Sequence, residues 1–319
     1  MPAHPFLPRE LYGIIGHPLG HTMSPLLHNW GFGLLDVPAV YMAWPLEPGR
    51  VGDFITAVRT LPIRGASVTI PHKQAVLPLL DGISERARAV GAVNTLYWRD
   101  GQLLGENTDV TGFLAPLRQR AATRWRCERA LVLGNGGAAR AVLAGLRELG
   151  PAGDGVVTTV AVTGRNADKA APLAAEFGAE VVDWNARADW GADLVVNTTP
   201  MGMSGERQGD SAFPSEGFVA QGGAAGEAGR RGLAYDLVYN PLRTRFLSEA
   251  ADAGWDTQDG LAMFVEQGRE QFRLWTGLEL PAEGARTLVF VALGLGDVAV
   301  GRVCGQCELP GVGTGLGKG

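Results

Sequence analysis

A chain of 319 residues is longer than one ordinary core accommodates, so two domains are expected. Its hydrophobic content of 46% and charged content of 19% are those of a soluble globular protein. A net charge of −5 argues against nucleic acid as partner, and the longest apolar stretch, "TLVFVALGLGDVAV", is too short to span a bilayer. A small anionic ligand needs only a few local cations and stays open. The start, "MPAHPFLPRELYGIIG", has no charged segment leading into a long apolar run, so no secretory leader is expected. Of three cysteines, Cys304 and Cys307 form a CxxC that supplies two ligands where structural zinc needs four, so no metal is expected. A reducing cytoplasm is the simplest compartment.

In chain order, "LYGIIG" reads as a strand. "SPLLHNWGFGLL" starts a helix, with Ser24 as N-cap and Pro25 at the first helical position. "AVYMAWPL" and "IRGASVTI" are strands on either side of the helix "RVGDFITAVRTL". "SERARAVG" is a short helix closed by Gly91, and "VNTLYWRDGQLLGEN" is a hairpin around Asp100-Gly101. From about Val110, strands ("RALVLG", "GVVTTVAVTG", "DLVVNTT", "LAYDLVY") alternate with helices, which implies a parallel sheet with right-handed crossovers. The Gly-rich stretch 204–231 reads as a mobile surface loop. "GLAMFVEQGREQFRLWTG" and "PAEGARTLVFVAL" are helical.

"LVLGNGGAAR" places Gly134, Gly136 and Ala139 in the pattern G-x-G-x-x-A, between a strand and a helix. That context suits a dinucleotide: the first glycine makes the turn, the second admits the pyrophosphate, and the helix N-terminus offers N–H groups. The plain alternative is a turn with no ligand. An NAD site wants an acid at the end of the next strand, and Gly164-Arg165 stand there, with Lys169 a turn beyond. A guanidinium suits a 2′-phosphate, which favours NADP; Arg165 is otherwise an ordinary solvated arginine.

Polar residues also cluster in the first part. Thr22 and Ser24 are two apart, as are Ser67 and Thr69, which share a face if both lie on the strand. The hairpin sets Asn94 opposite Asn107, with Asp109 just beyond, where one unit hands over to the next. Each has a plain reading: a helix cap for Ser24, an exposed strand face for Ser67 and Thr69, an Asx-turn or helix cap for Asp109.

Taken together, "GHPLGHTMSP", "SVTIPHK", "AVGAVNTL", "GENTDVTGF", "GNGGAAR", "NTTPMGM", "DLVYNPLRTRFL" and "GLAMFVEQG" resemble the shikimate dehydrogenase family, from about Leu11 to Gly277. The resemblance implies two α/β domains with the active site in the cleft between them: a substrate domain at 1–109 completed by helices from 260–295, a Rossmann-like NADP-binding domain at 110–259, and a flexible tail at 296–319. It implies NADPH-dependent reduction of 3-dehydroshikimate to shikimate, on the way to aromatic amino acids, in a cytoplasmic enzyme that could form a homodimer. Lys73 and Asp109 match the family's catalytic pair. Substrate contacts match Thr22, Ser24, Ser67, Thr69, Asn94, Tyr239 and Gln267. The cofactor side matches Gly134, Asn135, Gly136, Gly137, Ala138, Ala139, Arg165, Lys169, Asn197, Thr198, Thr199, Met201, Leu237 and Gly260.

There are departures. Thr22 stands for a serine, Ser67 for an asparagine, Asn135 for an alanine, and G-R-N at 164–166 for N-R-T. Ser67 shortens the reach and leaves room for a water. A sibling acting on quinate or an aminated analogue, and a ligand-sensing relative without turnover, are the competing readings; the second should lack Lys73 or Asp109, and both are present.

Overall fold

A computed structural model describes residues 7–20, 22–123, 125–151, 153–219 and 232–295. The first half supplies β1 (Glu10–Gly16), α1 (Ser24–Leu34), β2 (Ala39–Pro45), α2 (Val51–Thr60), β3 (Ile63–Val68), β4 (Gly82–Ile83), α3 (Glu85–Val90), β5 (Thr95–Arg99), β6 (Gln102–Glu106) and α4 (Thr108–Ala122). Its six strands form one sheet in the order β2-β1-β3-β5-β6-β4. The β1, β2 and β3 ladders are parallel, while β5 runs antiparallel to both β3 and β6. The hairpin turn is as expected: Asp100 and Gly101 both have positive φ, and Arg99 faces Gln102.

The second half supplies β7 (Cys127–Leu133), α5 (Gly137–Glu148), β8 (Val157–Thr163), α6 (Ala167–Phe177), β9 (Glu180–Val181), β10 (Leu194–Asn197), β11 (Leu233–Asp236), α7 (Arg245–Asp252) and β12 (Asp256–Gln258). These strands form an all-parallel sheet, β12-β11-β10-β7-β8-β9. The chain runs outward from β7 to β9, then returns beside β7 and runs outward again to β12. This is the doubly wound dinucleotide-binding order, and its switch point lies between β7 and β10.

Both sheets are covered on two faces, which is why their central strands are nearly continuous apolar runs. In β1, Tyr12 and Ile14 pack with α1 and with α8 (Gly260–Thr276) and α9 (Ala282–Ala292), while Ile15 joins the α2 side. In β7, Ala130 and Val132 face α5 and α4, and Leu131 and Leu133 face α7. Helices α4 and α8 connect the halves. Val110, Phe113, Leu114 and Leu117 of α4 belong to the second sheet's core, and so does Met263 of α8. Leu261, Phe264, Val265 and Phe272 of α8 belong to the first sheet's core. Gly112 permits the close crossing, since a Cβ there would lie 3.0 Å from Gln267 Cβ. A second tie joins α5 to α3: Arg140 donates to Val90 O at 2.6 Å.

Three expectations need correction. Ser24 is the first residue of α1, not its cap; Met23 holds the cap position, without a side-chain bond. β3 ends at Val68, so Thr69 lies past the strand instead of sharing its face with Ser67. Part of the 204–231 stretch is built into the core, with Ala212, Phe213 and Phe218 buried against Phe246 and Trp255. Its remainder from 220, and the tail with Cys304 and Cys307, lie outside the described residues.

Candidate active site

Lys73 follows the turn that ends β3. Thr69 still donates its N–H to Ile15 O at 2.9 Å, and His72 closes the turn by donating to Thr69 O at 2.9 Å. The Lys73 carbonyl accepts from Val93 N at 2.8 Å, which fixes the lysine's backbone to the segment entering β5. Its Nζ donates to Asp109 Oδ2 at 2.6 Å, and the two side chains are only 16% and 13% exposed. Asp109 lies in the first turn of α4, where free N–H groups and the helix dipole favour an anion. Asn107 holds the N-cap position, so the cap reading of Asp109 falls away. The other carboxylate oxygen accepts from Asn94 Nδ2 at 2.8 Å.

Asn94 is buried and its amide is fully used. Nδ2 donates to Asp109 and to Thr108 Oγ1 (3.0 Å), while Oδ1 accepts from Thr108 N (2.7 Å) and Thr95 Oγ1 (2.8 Å). Thr95 and Thr108 thus orient the residue that orients Asp109. Neither stood out in the sequence, because a threonine beside a functional residue looks like any strand or cap threonine.

Ser67 is buried. Its hydroxyl accepts from Tyr41 OH at 2.6 Å and donates to Gln271 Oε1 at 2.8 Å. Gln271 Nε2 in turn donates to Thr95 Oγ1 at 3.0 Å. The serine hydroxyl is therefore held on both sides by protein groups, a tyrosine hydroxyl and a glutamine amide. Gln271 lies four residues after Gln267 on α8, and helical spacing alone puts both on one face. Thr69 differs from Ser67: its hydroxyl has no partner among the described residues, which leaves it available to a ligand.

Thr22 Oγ1 accepts from Ser24 N at 3.3 Å and donates to Ser24 Oγ at 3.2 Å, so the two hydroxyls act as one unit at the start of α1. Tyr239, from the loop after β11, stacks on Phe264 of α8 with ring centroids 4.7 Å apart. Burial raises its phenol above the ordinary value, and the Met23 backbone opposes this. Tyr239 thereby reaches from the second sheet to the segment carrying Thr22 and Ser24. Gln267 donates Nε2 to Phe264 O at 2.9 Å.

The second sheet's switch point presents a different surface. Gly134 has φ +113°, a left-handed conformation that suits glycine, and a Cβ there would lie 2.6 Å from Thr198 Oγ1. Beyond it, Cβ atoms on Gly136 or Gly137 would meet nothing within 4 Å. The N-cap of α5 is Gly136, and no side chain caps the helix. An open, glycine-walled cradle at an uncapped helix N-terminus fits a dinucleotide's phosphates. Ala139 is buried and packs helix against strand. Arg165 and Lys169 are exposed, and neither has a carboxylate partner among the described residues.

Across the switch point, Asn197 and Thr198 shape the loop after β10. Asn197 Nδ2 donates to Asp236 Oδ1 (2.9 Å) and Met201 O (3.1 Å), and Thr199 donates N–H and hydroxyl to Asn197 Oδ1. Thr198 Oγ1 donates to Leu133 O at 2.7 Å. Gly260 opens α8 directly against the Leu237 carbonyl, leaving no space for a side chain. Below this loop sits Asp236, which the sequence did not single out. Burial pushes its carboxyl up to about 7, against bonds from Thr244, Val238 and Asn197.

Comparisons with known proteins agree with this geometry. Residues 14–96 match the family model of the shikimate dehydrogenase substrate binding domain, and residues 260–290 match that of the shikimate 5′-dehydrogenase C-terminal domain. The chain is 53% identical over 292 residues to shikimate dehydrogenase (NADP(+)) of Oleidesulfovibrio alaskensis, covering 92% of this chain and 99% of that protein. The crystal structure of shikimate 5-dehydrogenase from Thermus thermophilus in complex with NADP(H) and shikimate superposes with a TM-score of 0.75 at 37% identity, over 89% of this chain and 99% of the other. Shikimate 5-dehydrogenase from Listeria monocytogenes, in complex with shikimate and NAD, gives a TM-score of 0.75 at 28% identity, over 88% and 96%. With the doubly wound sheet, the Lys73–Asp109 pair and this similarity along nearly its whole length, the chain belongs to the shikimate dehydrogenase family.

Proposed function

We propose that the chain catalyses the reversible, NADPH-dependent reduction of 3-dehydroshikimate to shikimate, in the route to aromatic amino acids. The observation that carries this reading is the Lys73–Asp109–Asn94 arrangement, a mostly buried cation held by an oriented carboxylate in a family whose relatives are named for this reaction. The Gly134–Ala139 turn would hold the phosphates of NADPH, Arg165 and Lys169 would pair with its 2′-phosphate, and the cofactor would supply the hydride. Lys73 donates a proton to the ketone oxygen as negative charge develops there, and its remaining N–H groups point charge at that oxygen. Asp109 fixes the ammonium and accepts from a neighbouring substrate hydroxyl. Thr69, whose hydroxyl has no partner among the described residues, and the Thr22–Ser24 pair hold the substrate's polar groups, with Tyr239 and Gln267 closing the other side. Asn94 acts chiefly by aiming Asp109. Leu237, Gly260, Met201 and the Asn197–Thr199 loop form the floor at the hydride end.

The domain assignment belongs to the same proposal: a substrate half at 1–109 with the returning helices of 260–295, and a cofactor half at 110–259. The two sheets support this division. A cytoplasmic location is proposed too, and the buried thiol at Cys127 is compatible with it. No helix among the described residues is long and apolar enough to cross a membrane. Assembly as a homodimer is proposed as well, and light scattering of the purified chain tests it.

The deciding experiment assays the purified protein in the oxidative direction with shikimate and quinate, each with NADP⁺ and NAD⁺. The highest kcat/KM is expected for shikimate with NADP⁺. Quinate with NAD⁺ as the best pair would make this a quinate dehydrogenase, and no turnover with any pair would leave a ligand-sensing relative.

A further inference from the structure

Two departures from the family pattern, Asn135 in the glycine turn and Gly164 at the end of β8, touch each other. Asn135 Nδ2 donates to Asn166 O at 2.8 Å, so the side chain spans from the phosphate turn to the segment 164–166. Its path crosses directly over Gly164. A Cβ at position 164 would lie 2.6 Å from Asn135 Nδ2 and 2.9 Å from its Cγ. Gly164 is buried and its φ is not in the left-handed region, so the backbone does not require glycine there. What a side chain at 164 would meet is the amide of the asparagine above it. The amide that the family pattern places on 164 stands here on 135, and the space has been given up on the other side.

The segment so braced carries Arg165 and leads into the turn of α6 that carries Lys169, the two cations assigned above to the cofactor. Asn166 caps α6, accepting from Lys169 N at 3.2 Å, and Arg165 immediately precedes it. The turn is tied to the same place through its backbone, where Gly134 N donates to Thr163 O at 2.8 Å. Exposed arginine on a short loop has many rotamers, so its aim depends on how firmly its backbone is held.

We propose that Asn135, packed over Gly164, is a positioning residue for cofactor choice: it locks the Arg165–Asn166 segment to the phosphate turn and thereby sets preference for a 2′-phosphorylated dinucleotide. The inference rests on the NADP reading above. Because Asn135 acts through Arg165, its loss affects NADPH and spares NADH. Because the amide and the missing side chain are complementary, the two positions are coupled.

The test is binding of NADPH and NADH, measured by fluorescence without substrate, for the wild type, Asn135→Ala, Gly164→Asn and the double variant. Thermal melting of each serves as the folding control, with Gly164→Ala as the milder version. Asn135→Ala should weaken NADPH about threefold to tenfold, the scale of one lost hydrogen bond, and change NADH less than about twofold. Gly164→Asn alone should weaken NADPH at least as much, because the new side chain displaces Asn135. The double variant should return to within about threefold of wild type. Equal losses for both dinucleotides, a tolerated Gly164→Asn, or a double variant equal to the product of the singles overturns the proposal while NADP use stands. A wild type that binds NADPH no better than NADH overturns the NADP reading and this proposal with it.

Discussion

Lys73, Asp109, Asn94, Thr95, Gln271, Ser67 and Tyr41 form one unbroken run of hydrogen bonds, whereas the start of α5 has no side-chain cap and the Arg165 and Lys169 side chains have no partner among the described residues. The proposed substrate side is already hydrogen-bonded within the protein itself. A small rigid ring with several hydroxyls is told from its neighbours by close donor and acceptor placement, and that placement has to be built into the protein. The cofactor side is a bare cradle. A long, charged, flexible ligand brings its own polar groups, and what it needs is unhindered N–H groups and available cations. Substitutions in the first region should therefore damage turnover and stability, and those in the second should act mainly on affinity.

The largest effect belongs to the end of the run proposed to meet the substrate. Lys73→Ala should lower kcat about 10²–10⁴-fold, the usual scale for a positioned proton donor. NADPH affinity should stay near wild type, since the lysine lies outside the glycine cradle. Near-normal turnover would remove Lys73 from the mechanism.

Next comes the buried middle of the run. Gln271→Leu strips Ser67 of its acceptor and Thr95 of a donor, inside the core. Leaving such groups unpaired costs about 1–3 kcal/mol, so the melting temperature should drop by several degrees. Shikimate KM should rise through the looser Asn94, while NADPH binding holds. A stable variant with unchanged shikimate KM would show that the lower part of the run does nothing for the site.

On the bare side the effect is smaller and falls on affinity. Arg165→Ala should raise KM for NADP⁺ about tenfold, leave kcat near wild type, and leave NAD⁺ use unaltered. The exposure of Arg165 keeps the expected loss at the lower end for charged hydrogen bonds. Equal loss with both cofactors would mean that the arginine supports the fold near α6 instead of reading the phosphate.

The two regions also differ in how far the sequence reveals them. The cradle is local: strand, Gly134, Gly136 and helix N-terminus all fall within about ten residues, and turn chemistry makes them readable. The Asp100-Gly101 hairpin is local too, and its register holds from Arg99 opposite Gln102 to Thr95 opposite Glu106, one pair short of Asn94 and Asn107. The run that ends at Lys73 is not local. Ser67 and Gln271 are 204 positions apart, and no pattern around Ser67 announces a glutamine from another helix. Without that partner, Ser67 reads as a surface or pocket serine and the vacant volume as room for water. The strand ending early at Val68 belongs to the same class, because tertiary pairing with β1 decides it and β propensity alone runs on through Ile70. The two- and three-residue strands β4, β9 and β12 are likewise products of the sheet they join.

Each half finally carries a buried group that burial keeps uncharged near neutral pH or below, His28 and Asp236, and their pH effects have opposite sign. His28 on α1 is fully buried, stacked on Tyr41 with centroids 4.6 Å apart and close to Trp275. Neither ring nitrogen has a hydrogen-bond partner among the described residues, and burial lowers its pKa to about 3, with nearby Gln271 pulling weakly the other way. Below the ordinary histidine value of about 6.5, the unfolded chain takes a proton that the folded chain refuses, so stability falls as the pH drops from there toward 3. Asp236 on β11 behaves oppositely. With its carboxyl raised to about 7, its stabilisation is complete below the ordinary carboxyl value of about 4 and is lost as the pH rises through 7. Over roughly pH 4–6.5 the two slopes oppose each other in the wild type. His28→Phe should remove one of them, recovering roughly 1–2 kcal/mol at about pH 5.5 relative to about pH 8. Asp236→Asn should remove the other, so that stability no longer declines between about pH 4 and pH 7. Denaturant titrations at several pH values measure both, and a His28→Phe profile parallel to wild type would mean that the ring is protonated in the fold.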